Sequence, residues 1–280
     1  MKACILALAV CALGSAPGPA EKLPVLLDKP FLGCFVGFQG SRDFEFVIGG
    51  DGEGELFFEK DRKRLTTFGC TLKLYYVLEE WSEEKNRWSY RTMKKEGFET
   101  TWTEGVLAPL EELIKFTATY TGDTRVEITH LFKKDGVEIT SRIVESKSRN
   151  RQRVGVKVIV GDLYRHVTAG LEEREVKAKI RDSQIAVWPV GGARSSSRAR
   201  IKLRKGEVKL PEEFPKGARK FSLESERYAD HEFTLSTANE EFGKLEFRQK
   251  KILYHGFEVL WWPEPAKSEE KDCRLVIEVK

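Results

Sequence analysis

The sequence predicts an all-β protein with very little helix, built as one large antiparallel two-sheet β-sandwich. Residues 112–144 alternate apolar and polar side chains with a period of two, the period of a half-buried strand. Further short alternating runs follow one another along the chain, with turn residues about every eight to twelve positions, as in sandwiches and barrels. Two smaller sandwich lobes divided near residues 191–198, where the chain reads Gly-Gly-Ala-Arg-Ser-Ser-Ser-Arg, are the alternative.

Residues 1–20 have the pattern of a secretory signal peptide. Lys2 precedes the short apolar run 5–13, and small residues and prolines lead to Ala20. We expect cleavage after Ala16 or Ala20, which leaves 21–280 as a single β domain exported to the periplasm or the extracellular space. No later apolar run reaches the roughly 18 residues of a membrane helix, so no transmembrane segment is expected in the mature chain.

The stretch 112–144 predicts a three-stranded meander. The turn sequences Thr-Gly-Asp at 121–123 and Lys-Lys-Asp-Gly at 133–136 contain the residues that tolerate positive φ. The predicted buried face consists of Ile114, Phe116, Ala118, Tyr120, Val126, Ile128, Phe132, Val137, Ile139 and Ile143.

Other strands are predicted on both sides of this meander, and residues 49–54, with four glycines, read as a hairpin loop. The predicted strands before the meander are 31–38, 44–48, 55–58, 65–78, 87–93 and 97–104; those after it are 154–160, 175–181, 184–190, 199–203, 221–223, 232–236, 244–247, 253–261 and 273–279.

His130 is the candidate catalytic residue, because alternation places it on the apolar face between Ile128 and Phe132. A histidine there acts either as a general base in a cleft or as a hydrogen-bonded core residue. The sequence contains no Gly-x-Ser-x-Gly nucleophile motif, and its 44 acidic residues offer too many pairs to select a catalytic one.

Aromatic side chains form the candidate ligand-binding set. An exposed indole or phenol offers a flat apolar surface with a polar edge on which sugar rings stack, whereas a buried one belongs to the core. Because Trp261 and Trp262 are adjacent in a predicted strand, they point to opposite faces, and one must meet a second sheet, a loop or a ligand. The candidates are Trp88, Tyr90, Trp102, Trp261 and Trp262.

Basic residues dominate the segment 146–205, which carries 16 lysines and arginines against 5 acidic residues. Alternating guanidinium groups on one side of an extended segment suit sulfate, phosphate or carboxylate groups, although charged strand edges also protect against aggregation. The candidate anion-binding residues are Arg149, Arg151, Arg153, Arg198 and Arg200.

No metal site and no cofactor are predicted, because the chain contains no Cys-x-x-Cys, His-x-His or His-x-x-x-His spacing. Of five cysteines, Cys4 and Cys11 lie in the predicted signal peptide. Cys34 and Cys70 either pair or remain as buried thiols, so the chain is not a disulfide scaffold.

These observations favour a non-catalytic exported protein that binds a glycan or an anionic envelope polymer. Because the chain is expected to be exported, a polysaccharide is the expected partner and nucleic acid is not. The alternatives are a carbohydrate-active enzyme of the epimerase or lyase type, and an envelope structural protein without a small ligand. The oligomeric state is not predicted.

Overall fold

A computed structural model provides the structure of the chain. It describes residues 25–26, 34–39, 44–49, 52–60, 63–64, 72–100, 113–161, 172, 174–175, 178, 183–191, 198–203, 208–225, 231–239, 241–250, 253–263 and 273–280.

The described residues form nineteen strands with antiparallel pairing throughout, which confirms the predicted all-β class. A four-residue helix, α1 (Leu210–Glu213), and a 3-10 turn (Leu253–His255) interrupt them. The strands are β1 (Val25–Leu26), β2 (Cys34–Gln39), β3 (Phe44–Gly49), β4 (Gly54–Lys60), β5 (Lys63–Arg64), β6 (Leu72–Ser82), β7 (Arg87–Arg91), β8 (Met93–Thr100), β9 (Leu113–Tyr120), β10 (Thr124–Lys133), β11 (Gly136–Glu145), β12 (Gln152–Val160), β13 (Gln184–Pro189), β14 (Ala199–Lys202), β15 (Ala218–Glu224), β16 (Glu232–Thr237), β17 (Gly243–Arg248), β18 (Phe257–Pro263) and β19 (Leu275–Val279).

Hydrogen-bonded neighbours connect these strands into one large curled sheet. One half has the order β1-β2-β3-β4-β6-β12-β18-β17. The other half has the order β8-β9-β10-β11-β19-β16-β15-β13-β14. The halves join where Ala218 of β15 pairs with Leu245 of β17, and where β7, paired with β6, continues into β8.

The main core lies between the two halves. Phe46 of β3 and Phe132 of β10 do not share a ladder, yet their ring centroids are 6.0 Å apart. Tyr120 of β9 donates a hydrogen bond of 2.9 Å to the backbone carbonyl oxygen of Tyr76 in β6. The curled sheet therefore folds over on itself and buries inward-facing side chains of both halves.

The predicted meander is confirmed as β9, β10 and β11, which pair along nearly their whole lengths. All its predicted inward residues are buried except Ile143, which is partly buried and packs on the core. Gly122 and Asp123 have φ of 86° and 54°, so the first turn uses the left-handed conformations that its sequence predicts. The 49–54 loop likewise connects β3 to β4, which pair as a hairpin.

Several sequence predictions differ from the structure or fall outside it; the predicted strand 253–261, for example, begins only at Phe257, because Leu253–His255 form a 3-10 turn. The predicted strand 175–181 is wrong where the structure describes it, because Glu175 and Ala178 have helical backbone. The alternation of apolar and polar residues in this segment predicted a strand, but it was not sufficient to produce one. Residues 1–20 and Cys70 lie outside the described residues, and the side chain of Cys34 is also outside them.

The pairing of β13 with β14 and the length of the helical segments bear on two other sequence predictions. β13 and β14 pair directly, so residues 191–198, where the alternative of two lobes placed its division, connect neighbouring strands. Among the described helical segments, none combines the length and the apolar character needed to span a bilayer.

His130 belongs to the core, and this corrects its selection as a catalytic candidate. It is fully buried, with the rings of Phe46, Phe116 and Phe132 5.4 to 6.0 Å from its own, and it shares a hydrogen bond with the Tyr76 hydroxyl. Burial lowers the pKa of His130 to about 3, so the imidazole is neutral at physiological pH, and none of its surface is exposed.

We expect the free energy of unfolding to fall as pH is lowered from about 6.5 towards 3, relative to that of a His130→Leu variant. Below pH 6.5 the unfolded histidine binds a proton that the folded one does not, so this contribution to stability is present above 6.5 and is lost on acidification. The difference in the free energy of unfolding between the native chain and His130→Leu, measured by urea denaturation, should change by up to about 1.4 kcal/mol per pH unit. Parallel pH curves for the two proteins would contradict this.

Candidate binding surface

The face of β6 that points away from the core carries the candidate site. Leu72, Leu74, Tyr76 and Leu78 fill the core, so the odd-numbered residues of β6 lie on the opposite face. There Val77 packs with Leu260 and Trp262 of β18 in a second, small apolar cluster. Strand β6 is therefore buried on both faces along part of its length.

Trp262 lies over the backbone of β12 at Gly155. A Cβ atom at Gly155 would lie 2.7 Å from Cε3 of Trp262 and 2.1 Å from the carbonyl oxygen of Trp261, so a glycine is required at this position. On its other side, Trp262 contacts the Arg153 guanidinium, whose Cζ is 3.9 Å from the indole centroid and 4.6 Å from that of Trp88. Arg153 is thus held between two tryptophan rings.

Glu79 joins this stack to a distant strand. Its carboxylate is buried and accepts hydrogen bonds from Nε and Nη2 of Arg153 at 2.9 and 2.6 Å, and from Nη2 of Arg248 at 2.9 Å. Arg248 belongs to β17, and β12 and β18 lie between β17 and β6 in the ladder. Because the ion pair spans these strands, this face of the sheet must curve inward.

Tyr90 stands at the rim of the curved face with 46% of its surface exposed. Its hydroxyl accepts a hydrogen bond from Arg248, whose Cζ also lies 5.2 Å from the ring centroid. The ammonium of Lys157 lies 5.7 Å from the Tyr90 ring and 5.0 Å from the Tyr75 ring. Burial raises the pKa of Tyr90 to about 12, so the phenol keeps its proton. We define the aromatic-basic face as Tyr75, Trp88, Tyr90, Arg153, Lys157 and Arg248.

A cleft of about 400 Å³ adjoins this face at the β6–β7 hairpin, and Tyr90, Trp81, Ser89 and Asn150 are among its lining residues. At its base, the Arg91 guanidinium, with Asn150 and Gln152, holds the pKa of Glu80 at about 2. The volume of the cleft falls within the range of small-ligand sites, but its lining is mainly charged and polar rather than apolar.

The structure brings together several of the residues selected from sequence. Trp88, Tyr90, Trp262 and Arg153 all belong to this one face or to its base. Arg151 lies beside it, with Cζ 5.1 Å from the Trp81 ring.

Trp261 and Trp262 do point to opposite faces, but both are buried, with 1% and 2% of their surface exposed. Trp261 packs in the main core and Trp262 under Arg153, so neither forms an exposed sugar platform. The selection of these two as ligand-binding residues is corrected on that ground. Trp102 lies outside the described residues.

The predicted anion-binding arginines do not form one site, because they lie on or next to strands that are far apart in the sheet. Arg149 is exposed in the connection between β11 and β12, and Arg153 is already paired with Glu79. Arg198 and Arg200 lie at β14, which is separated from β12 in the ladder by β18, β17, β15 and β13.

Sequence reasoning missed Tyr75, Glu79, Lys157 and Arg248. The alternation of Tyr75, Val77 and Glu79 was visible in the sequence. The residues of β12 and β17 that contact this face, however, lie about 75 or more residues away in sequence. Only the pairing of those strands reveals the site.

A scan of protein-family models found no match to this chain, and a search of curated proteins also found none. Among solved structures, similar chains include the alpha-N-acetylgalactosaminidase NagBb from Bifidobacterium bifidum in complex with GalNAc, with a TM-score of 0.48 and 11% identity. The complex of the same enzyme with Gal-NHAc-DNJ gives a TM-score of 0.42 and 11% identity. Each match covers 87% of this chain but 35% of that one, so this chain spans about a third of the enzyme's length.

We expect Glu79→Gln to lower the free energy of unfolding by about 2 kcal/mol, because Arg153 and Arg248 would lose the anion that they share. Both arginines are partly exposed, which keeps the cost below that of a fully buried pair. Urea denaturation would measure the loss, with Glu84→Gln in the exposed β6–β7 turn as the matched control. Equal stability of the two variants would contradict a structural role for this ion pair.

Proposed function

We propose that this protein binds a glycan at the aromatic-basic face, with Tyr90 as the stacking residue. The observation that carries the proposal is the half-exposed Tyr90 ring, held by Arg248 at the rim of a curved face and beside a cleft. A phenol presents an apolar ring to the C–H face of a sugar and a hydroxyl to its polar edge.

The cations of the aromatic-basic face are paired with carboxylates, which favours a ligand bound mainly by stacking and hydrogen bonds. Arg153 and Arg248 share Glu79, and Lys157 lies 4.0 Å from Glu258. Because these cations are compensated by carboxylates, their main contributions are to hold the rings and to donate hydrogen bonds. Ordered rings and donors reduce the entropy cost of binding a flexible sugar chain.

The location outside the cytoplasm is part of the same proposal. If residues 1–20 direct export, the secreted protein should begin at Pro17 or Glu21. N-terminal sequencing of the protein recovered from the medium or the periplasm would measure this. Intact Met1 on an exported protein, or retention of the whole product in the cytoplasm, would contradict it.

Tyr90→Ala should weaken binding to a glycan identified on an array by about tenfold, because the variant loses the stacking surface and releases Arg248. Tyr90 is the residue to replace because Trp262 is buried and its removal would leave a cavity. Titration calorimetry on residues 21–280 would give the affinities, and thermal denaturation would establish that the variant is folded.

Val144→Ala is the matched control, since Val144 is 47% exposed on β11 and lies outside the aromatic-basic face. It should bind like the native chain. Binding of no glycan by the native chain would overturn the proposal and favour the structural-protein alternative.

A further inference from the structure

A second arrangement of aromatic and basic side chains lies on β13, β14 and β15. Trp188 of β13 pairs with Lys220 of β15, and the Lys220 ammonium lies 5.0 Å from the Trp188 ring centroid. Arg198, the residue directly before β14, places its Cζ 5.5 Å from the same ring. One half-buried indole therefore contacts two cations, one in β15 and one next to β14.

The cations at Trp188 differ from those of the aromatic-basic face in their partners. Within the described part of the chain, neither Arg198 nor Lys220 has a carboxylate within ion-pair distance. Arg200 lies in the next row of β14, where it pairs with Ala186, and it is exposed. Like charges held near one ring repel each other, and an anion placed between them would relieve this repulsion.

Within the described part of the chain, Arg198 and Arg200 lie at an edge of the sheet. Among the described strands β14 pairs with β13 alone, and Arg198 and Arg200 are both exposed. A polymer running along β14 could therefore approach both guanidinium groups from solvent. Guanidinium groups bind carboxylate and sulfate oxygens in a planar, bidentate manner.

We propose that Arg198 and Lys220, positioned by Trp188, bind a carboxylate or sulfate group of an acidic polysaccharide. Arg198 and Lys220 contact the anion, whereas Trp188 is a positioning residue that holds both cations by contact with its ring. The inference rests on the proposed glycan-binding function and deepens it, since it assigns the acidic group to a site separate from Tyr90.

The test uses two probes, a heparin-derived octasaccharide and the same octasaccharide made neutral by desulfation, N-acetylation of the freed amines and carboxyl reduction. Arg198→Gln combined with Lys220→Gln should weaken binding of the acidic probe by about tenfold or more and flatten the dependence of its affinity on salt. Binding of the neutral probe should not change. Trp188→Leu should weaken acidic binding, and Trp188→Phe should retain part of it because a ring still supports the cations.

The matched control is Lys115→Gln combined with Arg142→Gln, which removes the same charge. These side chains are half-exposed on β9 and β11 and already pair with Glu127, so acidic binding should change by less than about twofold. An equal loss in this control would show that only net charge matters, and it would overturn the proposed site.

A spectroscopic readout keeps the test valid if the double variant fails to fold. In native protein labelled with ¹⁵N-tryptophan, the indole resonance of Trp188, assigned through Trp188→Phe, should shift as the acidic probe is added. An unchanged resonance at saturation would overturn the proposal.

Two further results distinguish binding at Trp188 from binding at Tyr90, and an acidic polysaccharide from an acidic protein. Loss of neutral-probe binding in Tyr90→Ala, with retained acidic binding and an unchanged Trp188 response to the acidic probe in that variant, supports the second site. Equal affinity for an octamer of glutamate would assign the site to an acidic protein segment and overturn the glycan assignment.

Discussion

The ion pairs of Glu79 with Arg153 and Arg248 are the interactions on which the outer face depends. They join β6 to β12 and β17, and they hold the Arg153 guanidinium over the buried Trp262 ring. A carboxylate in this position is stable only because two guanidinium groups surround it. The curvature of the face, and therefore the position of Tyr90 beside the cleft, follows from this arrangement.

Alternation in the sequence predicted the meander and the opposite orientations of Trp261 and Trp262. It could not predict that Trp262 is buried, because the residues that cover it come from strands distant in sequence. Gly155 illustrates the difficulty: within an apolar run it looks like a weak point, yet the close approach of β18 requires it. For His130, alternation predicted the correct face, and the surrounding phenylalanine rings account for its burial in the core.

The aromatic-basic face and the residues around Trp188 differ in whether their cations are paired with carboxylates. This difference explains why a count of basic residues was a poor guide to function. Arg153 and Arg198 were selected by the same criterion, but Arg153 completes a structural ion pair whereas Arg198 faces solvent beside Trp188. Paired cations stabilise the fold around a stacking residue, and unpaired ones remain available to an anion. The same residue type therefore has different consequences in the two places.

The most direct measurement of the central claim is hydrogen–deuterium exchange of residues 21–280 with and without a saturating glycan. If the glycan binds at the aromatic-basic face, exchange should slow in peptides from β7, β12 and β17, which carry Tyr90, Lys157 and Arg248, and stay unchanged in β10 and the rest of the meander. Protection confined to the meander, or to none of these strands, would contradict it.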